Sequence, residues 1–82
     1  MAKPIVLDPA ALAGPVKRSI TIAGHQTSVS LEPLFWSALE AAALDHMLPL
    51  SALVAEIDAV RITVQDPPNL ASAIRSWLFS RK

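Results

Sequence analysis

The sequence predicts a mostly α-helical domain that opens on a short β-ribbon and ends in an extra C-terminal helix. Three observations carry this reading. Residues 17–31 alternate polar and apolar side chains, many of them β-branched, which is the period of a strand. From residue 32 onward the apolar spacing changes to three and four, the period of a helix. Pro49, then Pro67 and Pro68, interrupt the helical pattern and divide it into three pieces.

Taken in order, residues 1–16 hold Pro4, Pro9, Gly14 and Pro15. They read as a flexible N-terminal arm with at most a short ordered piece around Ile5–Leu7, and residues 17–82 as the folded domain. In the ribbon, Ile20 and Ile22 share one face of a first run. Thr27, Val29 and Leu31 share one face of a second run, with Gln26, Ser28 and Ser30 on the other. Gly24 between the runs can supply a turn or a bulge, so the segment is either a hairpin or one kinked ribbon. Pro33 suits the first position of a helix, where its missing N–H is not needed. Phe35, Ala38, Leu39, Ala42 and Met47 fall near one stripe of that helix. A second helix runs from Leu50 to Arg61 and buries Leu50, Leu53, Val54, Ile57 and either Val60 or Arg61. Asn69 is placed to cap a third, whose apolar side is Leu70, Ile74, Trp77 and Leu78.

Composition narrows the function. Of 82 residues, 52% are hydrophobic and 17% charged, which is too apolar for a disordered chain. A chain this short buries only about 60% of the surface its unfolded form exposes, so self-association, most simply a twofold homodimer, is expected. Without cysteine there is no disulfide framework, thiolate metal site or cysteine nucleophile. His25 reads as a polar turn residue and His46 as a helix-end residue, and two histidines do not build a structural zinc site. Gly14 and Gly24 are the only glycines, too few for a phosphate-cradling loop. Nothing gathers serine, histidine and a carboxylate into a triad. No enzyme, catalytic residue, metal or cofactor is therefore expected. No apolar stretch approaches the ~20 residues that cross a bilayer, and Pro4, Asp8 and Pro9 break the N-terminal run as a secretory signal. A cytoplasmic protein away from membranes is the expectation.

The zero net charge conceals an uneven distribution: +2 over residues 1–31, −5 over 32–66 and +3 over 67–82. In a dimer that pairs the strand segments, Lys17 and Arg18 of both copies would pool into a modest basic stripe above an acidic helical body.

The run Thr27-Ser28-Val29-Ser30-Leu31-Glu32-Pro33-Leu34-Phe35-Trp36, followed by Leu50-Ser51-Ala52-Leu53-Val54-Ala55-Glu56-Ile57-Asp58, resembles the ribbon-helix-helix superfamily of Arc-, MetJ- and CopG-like repressors. With Lys17-Arg18-Ser19-Ile20-Thr21-Ile22-Ala23-Gly24-His25 ahead of it, the chain is most similar to a ribbon-helix-helix branch of small bacterial proteins, over about residues 17–78. The resemblance implies an intertwined homodimer in which one strand from each chain pairs into a ribbon that enters the major groove of double-stranded DNA. It implies that Gln26, Ser28 and Ser30 face outward and that Val29 and Leu31 join Phe35, Leu39, Leu53, Val54 and Ile57 in the core. It implies further that the start of the second helix, with Ser51, meets a phosphate. Lys17 and Arg18 would add phosphate attraction that weakens as salt rises. The expected function is thus a sequence-selective DNA-binding transcriptional regulator that reads with Lys17, Arg18, Gln26, Ser28, Ser30 and Ser51.

The alternative is a protein-interaction module, an antitoxin-like or adaptor dimer that uses the arm or the C-terminal helix. Trp36 and Trp77 read as core or junction fillers, or else as anchors for another protein. On the alternative, truncation after Asp66 would abolish the partner complex and spare the dimer.

Overall fold

A computed structural model describes residues 1–81. Strands β1 (Val16–Ile22) and β2 (His25–Leu31) form an antiparallel two-stranded sheet, and helices α1 (Pro33–Asp45), α2 (Leu50–Arg61) and α3 (Leu70–Ser80) follow. The fold is thus a β-ribbon leading a mostly helical body.

The alternation over residues 17–31 resolves as a hairpin. Its register runs from Val16 opposite Leu31 to Ile22 opposite His25, and Ala23 and Gly24 make the turn. Both sit at positive φ, 50° and 84°, the pattern of the type I′ turn that matches strand twist. Glycine adopts this freely; for Ala23 the Cβ meets the carbonyl and costs energy. The resemblance implies that β2 pairs with a second copy. Within the chain β2 pairs with β1 along one edge, which leaves its other edge for the strand of a second copy that the resemblance implies.

In the arm, the ordered piece is a single 3₁₀ turn at Pro9–Leu12, where the Asp8 carboxylate accepts from the Ala10 N–H at 3.0 Å. Ile5, Val6 and Leu7, where order was expected, are exposed and outside any element.

One core lies between the sheet and the helices: Ile20, Val29 and Leu31 from the ribbon, Trp36, Leu39, Ala42 and Ala43 from α1, Leu53, Val54 and Ile57 from α2, and Ile74 from α3. Burying each of the larger side chains contributes about 1.5–3 kcal/mol. Phe35, expected in this core, is half-buried at its margin, and its neighbour Trp36 is 2% exposed instead. Residues 35 and 36 lie about 100° apart on a helix, and the alanine run lets either face pack; the larger ring takes the interior. Met47, expected on the same stripe, is 91% exposed. It holds the left-handed position that ends α1, with φ 56°: Leu48 N–H reaches Ala43 O at 2.9 Å and Met47 N–H reaches Leu44 O at 3.0 Å, a Schellman closure.

The α1–α2 junction bends by 98° at Pro49, which starts α2 without a side-chain cap. At the end of α2, Arg61 rather than Val60 turns inward, bonding Asp58 and donating to the Pro68 carbonyl at 3.1 Å. Asn69 caps α3 as expected, its side-chain oxygen accepting from Ser72 N–H at 2.8 Å. Among the described residues no single helix is long and apolar enough to cross a membrane.

Candidate nucleic-acid interface

Strand alternation sets the interface. Ile20, Val29 and Leu31 point to the helices, so the opposite parity points away. That outer face carries three cross-strand pairs: Lys17 with Ser30, Ser19 with Ser28, and Thr21 with Gln26. All are exposed except Ser30, which is half-buried. The face holds hydroxyls, one amide and one ammonium, and no carboxylate. Counted from the turn, these three are the non-hydrogen-bonded pairs, whose side chains approach most closely. Their backbone N–H and C=O groups point to the sheet edges, and at the β2 edge the Ser30 carbonyl accepts from Arg75 at 3.5 Å.

Four expected residues therefore share one surface: Lys17, Gln26, Ser28 and Ser30. Ser51 lies elsewhere, exposed in the first turn of α2. Arg18 lies on the other face, at the parity of Ile20, where its guanidinium bonds Glu40 at 2.8 Å and stacks over the Trp36 ring at 4.6 Å. Sequence reasoning did not single out Ser19 and Thr21; the available signal was their parity, opposite to Ile20 and Ile22.

Arg18 belongs to a repeated arrangement. Arg75 bonds Glu32 at 2.9 Å beneath the Phe35 ring, and Arg81 bonds Asp45 at 3.0 Å against the Trp77 ring. Each of the three arginines holds a carboxylate on or beside α1 and stacks on an aromatic ring. The basic ends of the chain are thus tied to its acidic middle. Lys17 makes no ion pair among the described residues.

Glu32 links the ribbon to α1. Its own backbone N–H, then the Arg75 guanidinium, hold its carboxyl below the ordinary value of 4.5. The carboxylate that follows the strand is in this way paired with Arg75 within the fold. Among the described residues no three histidines or carboxylates come together as a metal site.

The family model of the ribbon-helix-helix domain matches residues 15–81, which covers the hairpin and all three helices. No curated protein and no solved structure matches the chain.

Proposed function

Because the chain belongs to the ribbon-helix-helix domain family, we propose that it is a sequence-selective DNA-binding protein, a transcriptional regulator that inserts its β-ribbon into the major groove. The observation that carries this is the outer face of the sheet, polar, free of carboxylates and bearing Lys17. The Gln26 amide suits the donor–acceptor pair of an adenine edge, and the Ser28 and Ser30 hydroxyls can donate to or accept from several bases. Lys17 supplies attraction to phosphate, and Arg18, paired with Glu40 on the other face, adds little to it. Ser51 and the free N–H groups that open α2 suit a phosphate.

The protein acts as a homodimer, so the site it reads has twofold symmetry. Exposed apolar side chains on the helical body, among them Leu44, Met47, Val60 and Ile62, support association there.

Selection of genomic fragments with the purified protein at moderate salt tests the reading. A palindromic sequence should be enriched, with half-sites one helical turn apart or a multiple of it. Recovery of fragments with no shared sequence would sink it.

A further inference from the structure

We propose that Arg75 of α3 is a positioning residue for DNA reading: by clamping the end of β2 to the helical body, it sets how the outer face of the ribbon meets the bases. This rests on the DNA-binding reading and gives α3 a part in it. Gln26, Ser28 and Ser30 all lie on β2, which ends at Leu31, one residue before Glu32. Arg75 Nε and Nη2 both donate to Glu32 Oε1, at 3.1 and 2.9 Å, and Nη2 also reaches the Ser30 carbonyl at 3.5 Å. Among the described residues Arg75 is the one side chain outside the sheet that hydrogen-bonds to β2.

The support behind this clamp is firm. Ile74, the neighbour of Arg75, is 0% exposed, and Asn69 caps the first turn of α3. The guanidinium stacks on the Phe35 ring, 5.6 Å from its centroid. A planar fork held between a carboxylate and a ring has little freedom to swing. β1 is tied separately, to α1, through the Trp36 N–H on the Val16 carbonyl and the Arg18–Glu40 pair. The strand that carries the amide and hydroxyl readers is thus tied to the body by α3. That body also bears Ser51, so the clamp fixes where bases are met relative to where phosphate is gripped. Hydrogen bonds to base edges tolerate only about 0.5 Å in donor–acceptor distance, whereas Lys17 follows a phosphate on a flexible stem. Loosening β2 therefore costs base recognition more than it costs attraction to the backbone. In a twofold dimer the same error is made in both copies.

The test uses the full chain, the sequence recovered by fragment selection, and unrelated DNA as the reference. Arg75→Gln opens the clamp from α3. Glu32→Ala opens it from the ribbon, and Glu32 makes no side-chain cap to α1 that alanine would lose. Circular dichroism and thermal unfolding check that each variant is folded; should Arg75→Gln fail to fold, Glu32→Ala decides alone. A positioning role predicts that both substitutions lower the ratio of specific to non-specific affinity, by about tenfold. A role as a mere charge predicts opposite signs: losing the cation weakens binding to all DNA, losing the carboxylate strengthens it, and the ratio stays put. That pattern would overturn the proposal, as would a ratio within about twofold of the parent's in either folded variant. Absence of any sequence preference in the unaltered protein would overturn the DNA-binding reading instead.

Discussion

Trp36 joins three parts of the molecule at one side chain. Its ring is 2% exposed, its indole N–H donates to the Val16 carbonyl at 2.8 Å, and Arg18 lies against its face. Trp36→Ala should lower unfolding free energy by about 3–5 kcal/mol, measured by urea denaturation. A loss below about 1 kcal/mol would mean that the ring is not in the core. Met47 works in the other direction. A β-carbon at φ 56° is strained, and its side chain is almost wholly in solvent. Met47→Gly should therefore stabilise the fold by about 0.5–1 kcal/mol; a destabilised variant would show that the methionine packs against something. Glu32 gives a pH signature. Its folded value is depressed, so the stability it contributes is present above 4.5 and is lost as pH falls through the lowered value. In Glu32→Gln that part of the acid profile should flatten, as read from urea midpoints taken at descending pH; a profile that coincides with the parent's would refute the Glu32–Arg75 link.

At the scale of elements, the helices were legible because their ends are chemically marked. Pro33 and Pro49 stand where α1 and α2 begin, and Asn69 caps α3. The ribbon was legible as strand but not as hairpin. A two-residue type I′ turn usually declares itself with Asn-Gly or Asp-Gly, and here its first position is Ala23. The choice between Phe35 and Trp36 was open for another reason: alanine-rich α1 has small residues on both sides, so spacing alone does not fix its rotation. Of the candidate surface, the parity of Gln26, Ser28 and Ser30 could be read from alternation. The placement of Arg18 could be read the same way, once β1 is treated as a strand with Ile20 inward. The structure also changes what truncation tests. α3 supplies fully buried Ile74 to the core, and Arg75 and Arg81 reach back to Glu32 and Asp45. Removing everything after Asp66 should therefore abolish cooperative unfolding rather than spare the body. Persistence of a cooperatively folded 1–66 fragment would refute this, and Ile74→Ala, costing about 2–5 kcal/mol, provides the milder version.

For the molecule as a whole, charge divides between holding the fold and meeting a partner. Arg18, Arg75 and Arg81 are engaged with the acidic residues of the α1 region, and Lys17 projects from the outer face. If that face binds DNA, Lys17→Ala should lower the slope of log affinity against log salt by about one unit. Arg18→Ala should leave the slope nearly unchanged and weaken the fold by about 0–1 kcal/mol. Equal effects of the two substitutions on the slope would show that Arg18 leaves Glu40 when DNA is bound.

The outward margin of β2 has its own consequence. Main-chain amides of Gln26 and Ser28 point outward there, and no side-chain replacement deletes them. If that margin pairs with the strand of a second copy, alanine at either position should leave association intact, whereas proline at position 28, which deletes an amide hydrogen, should raise the dimer dissociation constant measured by sedimentation; an unchanged constant would place the contact between copies elsewhere.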